Sequence, residues 1–74
     1  MDTIQMGTYR HTKTGNLYRV IGVAKHSETL EDMVIYECLY DNPKSKVWVR
    51  PASMFLETIH HNGKKAPRFV FVEA

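Results

Sequence analysis

Apolar residues along this chain come in short bursts separated by turn-forming clusters, the pattern of strands and hairpins rather than of amphipathic helices. The first burst, Thr8 to Thr12, is short and carries an aromatic residue. Lys13-Thr14-Gly15-Asn16 then predicts a hairpin turn, because Gly15 and Asn16 both tolerate the positive φ that a two-residue primed turn requires. Leu17 to Lys25 contains Val20, Ile21 and Val23, β-branched residues that fit a pleated, half-buried surface. Gly22 lies inside this run and predicts a bulge or bend. A polar loop from His26 to Asp32 leads to a strand at Met33 to Tyr40, then a turn at Asp41 to Ser45. Val47 to Arg50 is a fourth strand, ended by Pro51, which cannot donate to a ladder.

Pro51 to Phe55 predicts one helical or 3₁₀ turn with a proline at its entry. Phe55 to Ile59 and Arg68 to Val72 predict two more strands around a loop from His60 to Pro67, where Asn62-Gly63 is the strongest turn signal in the chain. Met1 to Met6 is expected to fray. Several strands are apolar on both faces. At Met33 to Tyr40 one face holds Met33, Ile35 and Leu39, and the other holds Val34, Tyr36, Cys38 and Tyr40. A sheet with one wet face alternates more cleanly. The pattern therefore predicts a mainly β fold, a small SH3-like barrel of five to six short strands with one short 3₁₀ or helical turn, closed to remove its edges. An open meander that dimerises through an apolar face is the alternative.

Composition narrows the class more than the activity. With 74 residues the chain makes a single domain, and 43% hydrophobic content is globular rather than disordered. Ten Lys and Arg oppose eight Asp and Glu, a net charge of +2 that does not by itself argue for nucleic acid. One cysteine excludes an internal disulfide framework and a cysteine-rich zinc site, and suits a reducing compartment. No apolar run reaches the ~18 residues of a membrane span, and Met1 to Gly7 lacks the regions of a signal peptide, so a cytoplasmic location is expected.

A longer set of residues carries a resemblance. Gly7-Thr8-Tyr9-Arg10-His11-Thr12-Lys13 precedes the run Gly15 to Thr29, which includes Leu17-Tyr18-Arg19-Val20-Ile21-Gly22. Tyr36 and Leu39-Tyr40 follow, then Trp48-Val49-Arg50-Pro51, Met54-Phe55, Glu57 and Pro67-Arg68-Phe69. In this order they resemble the small bacterial family known as domain of unknown function 1653, over roughly Gly7 to Phe71. The resemblance implies a bacterial, mostly β, single-domain protein, sometimes attached to other domains. It brings no reaction, cofactor or substrate, so the chemistry has to come from the residues.

His11, His26, His60, His61 and Cys38 lack the spacing of a structural zinc site, and neither a metal nor another cofactor is expected. His26-Ser27-Glu28 has the residue types of a nucleophile, base and orienting group, but sequence neighbours diverge. Ser27 and Thr29 have a plain use in organising a turn. Cys38, mid-strand among apolar residues, reads as a core thiol. The richer constellation is aromatic and cationic: Tyr9-Arg10-His11, Trp48-Val49-Arg50 and Pro67-Arg68-Phe69. Alternation places Tyr9 with His11, and Trp48 with Arg50, on common faces. A tryptophan beside a guanidinium suits stacking a planar group or gripping an anion. The competing reading buries these rings in the core and pairs Arg50 with Glu57 or Glu37. Arg10, Lys13, Lys64, Lys65 and Arg68 would form a basic patch if the first hairpin and last loop lie together, while Glu28, Glu31 and Asp32 make a second, acidic loop.

The leading expectation is a non-enzymatic binding module for an anionic or extended ligand, single-stranded nucleic acid or peptide. Its candidate residues are Tyr9, Arg10, His11, His26, Glu28, Trp48, Arg50 and Arg68. One alternative is a small hydrolase-like enzyme using His26 with Ser27 or Glu28. The other is an accessory interaction domain that works as a homodimer. A monomer or weak homodimer, with no membrane association, is expected.

Overall fold

A computed structural model describes residues 4–74. Seven strands and one helical turn follow in the order β1 (Gly7–His11), β2 (Leu17–Lys25), β3 (Asp32–Cys38), β4 (Val47–Pro51), α1 (Ala52–Phe55), β5 (Thr58–His61), β6 (Lys64–Pro67) and β7 (Phe69–Glu73). Five strands form one antiparallel sheet in the order β4-β3-β2-β1-β7, and β5 and β6 pair separately as a hairpin. The mainly β expectation holds, and the barrel does not. The two sheets do not close, and β4 and β7 remain as edges. A helical turn, rather than closure of the sheet, buries the Val34 and Tyr36 face.

That inner face carries Tyr9, Val20, Val34, Tyr36 and Phe69, all buried, with Tyr18 and Trp48 partly buried beside them. Pro51 ends β4, and its extended backbone (φ −53°, ψ 137°) turns the chain into α1 over the sheet. This drops Phe55 into the centre, 2% exposed, with its ring stacked on Phe69 at 4.3 Å and edge-on to Tyr9 at 5.2 Å. The opposite face stays bare: Ile35 sits across from Val49, which is 58% exposed, and Ile21 is 49% exposed.

Gly22 stands at a register shift between β2 and β3, the predicted bulge. Asn62 (φ 53°) and Gly63 (φ 75°) make the predicted tight turn. The strand following it was hidden by its composition. Lys64 to Pro67 reads as a charged loop, yet the primed turn returns it as β6, with Ile59 opposite Ala66. The predicted strand at Phe55 to Ile59 starts later, at Thr58, because Phe55 belongs to α1. In the first hairpin only Gly15 takes positive φ (76°), and the loop is longer than two residues, with the His11 N–H donating to the Asn16 carbonyl at 2.9 Å. Of the segment expected to fray, residues 1–3 lie outside the described residues, but Ile4 is buried in the core and the Gln5 carbonyl accepts the Tyr9 hydroxyl at 2.7 Å.

Gly7 begins β1 at φ 136°, and a Cβ there would collide with the Glu73 carbonyl oxygen of β7. Gly7→Ala should therefore lower the melting temperature. Phe55→Ala, which empties the centre of the inner face, should cost about 3–5 kcal/mol in denaturant unfolding. A Phe55 variant within about 1 kcal/mol of the parent would mean that α1 does not hold the sheet's cover.

Candidate functional site

The strands cross the sheet so that hairpins alternate between its two ends. The β2–β3 turn lies at the Asp32 end of β3, and the β1–β2 turn and the β3–β4 loop lie at its Cys38 end. Phe55 covers the middle of the inner face. Towards the Cys38 end nothing caps it, and Tyr18, Tyr36, Tyr40, Asn42, Trp48 and Arg50 line an open cleft of about 200 Å³.

Local chemistry fixes each wall. Tyr36 lies opposite Trp48 across β3 and β4, and Val34 lies opposite Arg50, so the tryptophan and arginine share the inner face as their spacing predicts. The Trp48 indole N–H donates to the Ser45 carbonyl at 3.1 Å, which pins the ring's orientation. Tyr18 sits between neighbours, edge-on to Tyr36 at 5.5 Å, to Tyr40 at 5.6 Å and to Phe69 at 5.6 Å. Its hydroxyl lies 3.1 Å from that of Tyr40, and the Asn42 amide donates to the Tyr40 hydroxyl at 3.3 Å. Burial first, and the Tyr40 hydroxyl second, hold the Tyr18 phenol protonated well above its ordinary range. Edge-to-face aromatic pairs and a hydrogen-bonded rim make a preformed surface rather than a collapsible one.

Arg50 is the cation of this cleft. Its Nε–H donates to the Tyr36 hydroxyl at 3.4 Å, and its guanidinium carbon lies 5.7 Å from the centre of the Phe69 ring. The two carboxylates expected as its partners are engaged elsewhere: Glu57 pairs Arg68 at 3.1 Å and Glu37 faces Arg19 at 4.0 Å. Among the described residues no carboxylate forms an ion pair with Arg50.

His11 and Arg68 stand beside this group, and the other candidates do not. The His11 ring meets Phe69 edge-on at 5.0 Å, and the Arg68 charge reaches the His11 imidazole. Tyr9 shares the His11 face but is buried against Phe55 and Phe71, a core residue. Arg10 points to the other face and is exposed. His26 and Glu28 occupy the β2–β3 turn at the far end of β3, about 20 Å from the cleft end at the ordinary strand rise. There the His26 Nδ1 accepts the backbone N–H groups of Glu28 and Thr29 at 3.2 and 3.3 Å, the turn-forming use of such residues. Lys64 and Lys65 are exposed on β6. Cys38 is buried, with the Asn42 amide 3.7 Å from its sulfur. Sequence reasoning missed Tyr18, Tyr36, Tyr40 and Asn42 as cleft residues. The signal for Tyr36 and Tyr40 was present in their shared parity with Cys38. Among the described residues no three His, Cys, Asp or Glu side chains gather as a metal site needs, and no helix is long and apolar enough to cross a membrane.

An open β-sheet domain capped by one helical turn, with a ring-and-arginine cleft at one end, is thus the class that fold and site define. Residues 7–71 match the family model described as "Protein of unknown function (DUF1653)", and the chain belongs to that family. A crystal structure of a DUF1653 protein from Bordetella bronchiseptica is similar to it, with 32% identity and a TM-score of 0.87, covering 93% of this chain and 87% of that one. No match is found among curated proteins.

Desolvation chiefly, and then the charges of Arg50, Arg68 and Lys13, hold the His11 imidazole below its ordinary value of 6.5. The folded state therefore binds this proton less readily than the unfolded chain. The contribution to stability is present above about pH 6.5 and is lost as pH falls from there towards the folded-state value. His11→Gln should consequently flatten the fall in melting temperature between about pH 7.5 and pH 5. An unchanged profile in that variant would show that another group governs acid sensitivity.

Proposed function

We propose that this domain is a non-enzymatic binding module that holds single-stranded nucleic acid in the cleft of Tyr18, Tyr36, Tyr40, Trp48 and Arg50. The observation that carries this reading is an arginine with no carboxylate partner among the described residues, set among aromatic rings in an open cleft. Bases stack on aromatic faces whatever their identity, and a guanidinium neighbour neutralises the backbone.

Size supports a chain ligand over an isolated small molecule. Pockets that bury drug-sized ligands run from ~300 Å³ upward, and this cleft of about 200 Å³ has room for one ring while the rest of the ligand lies outside. Charge layout points the same way. The charges of Lys13, Arg50 and Arg68 gather round His11 at the cleft end, while Glu37 and Asp41 line a neighbouring cavity. A hydrolytic role for His26 draws no support from its place in a turn remote from these cations.

Trp48 is the one tryptophan, so intrinsic fluorescence reports on the cleft directly. Titration with oligothymidylate should quench it saturably, and affinity should fall steeply between about 50 and 200 mM salt. Tyr40→Ala should weaken binding by about 1–3 kcal/mol, the worth of one stacked base. Affinity indifferent to salt would redirect the search to peptides. No response to millimolar oligonucleotide would refute the nucleic-acid reading.

A further inference from the structure

The ring cleft leaves several groups at this end of the sheet unexplained. The Phe69 ring has the His11 imidazole at 5.0 Å and the Arg50 guanidinium carbon at 5.7 Å from its centre. Arg68 gives one terminal nitrogen to Glu57 at 3.1 Å, while its Nε is buried without a partner. The His11 Nδ1 is buried and unpartnered as well. Lys13, from the β1–β2 turn, adds its charge to the same group. Among the described residues, Glu57 pairs Arg68, and neither Arg50 nor Lys13 forms an ion pair. A small oxyanion would answer these charges: guanidinium N–H groups donate to it in pairs, and its charge offsets the repulsion that Arg50, Arg68 and Lys13 exert at His11.

We propose that His11, Arg50 and Arg68 form a phosphate seat beside the ring cleft, holding the phosphodiester that links a base in the cleft to the next nucleotide. The seat rests on the nucleic-acid reading above and specifies how the backbone is held. Arg50 belongs to both parts, since it lines the cleft and lies against Phe69. A ligand spanning them would thus stack one base near Trp48 and place its phosphate between Arg50 and Arg68, beside the half-buried His11 ring. Lys13 would approach from the turn, and Glu57 would keep one arm of Arg68 fixed. An anion in this position relieves the repulsion that Arg50, Arg68 and Lys13 exert on the imidazole, so binding and protonation of His11 favour each other.

The test reads His11 directly. The imidazole resonances of His11 are titrated by NMR with sodium sulfate and with sodium chloride at matched ionic strength, sulfate being a dianion whose charge is constant over this range. Sulfate should raise the His11 midpoint beyond the rise in chloride, and Arg68→Gln should abolish the difference while the amide spectrum stays dispersed. In parallel, oligothymidylate should bind tighter as pH falls from ~8, the gain approaching about tenfold only below the free His11 midpoint if its phosphates raise that midpoint by about one unit, and His11→Gln should remove that dependence. Equal midpoints in sulfate and chloride, with Trp48 still quenched by oligonucleotide, would overturn the seat and leave the ring cleft standing. A sulfate effect without oligonucleotide binding would overturn the assignment to a nucleic-acid phosphate. Silence in both would overturn seat and cleft together.

Discussion

A single ring decides what this small sheet can do. Phe55, delivered by one turn of helix, is the side chain from outside the sheet that plugs the centre of the inner face, stacked on Phe69 at 4.3 Å. The other buried side chain of this four-residue helix is Ala52, too small to cover the rest. The sheet therefore divides into a sealed half, with Val20, Val34 and Tyr9 under Phe55, and a half whose rings stay open to solvent at their edges. Fold and cleft share one cause: the cover is too short for the surface it covers.

The open half avoids collapse because its members hold one another. Tyr18 is gripped by three rings, Trp48 is tied to the Ser45 carbonyl, and the Tyr40 hydroxyl is linked to Tyr18 and Asn42. Ordering side chains on binding commonly costs ~0.5–1.5 kcal/mol each, and here much of that ordering is already present in the free protein. The charges are arranged with similar economy. Glu37 and Glu57 are occupied by Arg19 and Arg68, and Arg50 lies half-buried against the Tyr36 hydroxyl and the Phe69 ring.

Much of this was legible in the sequence where local rules govern. The span Leu17 to Lys25, the bulge at Gly22, the turn at Asn62-Gly63 and the helical turn after Pro51 follow from β-branching, glycine and proline, and they stand in the structure as predicted. The pairing of Trp48 with Arg50 on one face followed from alternation alone. Closure was misjudged because two-faced apolar strands fit a barrel and a capped sheet equally well, and a four-residue helix leaves too small a trace to choose between them. Lys64 to Pro67 reads as loop in the sequence since its strand character comes from the preceding turn rather than from its side chains. Tyr9 lies outside the cleft for a long-range reason: which part of a face is covered depends on where Phe55 lands, some 45 residues further along the chain.

The division of the inner face is tested most directly by mapping amide and indole chemical-shift changes as oligothymidylate saturates the isotopically labelled protein. The largest changes should fall on the Trp48 indole N–H, on Tyr18, Tyr40 and Arg50, with Phe55 and the His26–Glu31 turn nearly still. Changes centred instead on the bare face of Ile21, Ile35 and Val49, or spread evenly over the surface, would show that the uncovered rings are not where this domain meets its ligand.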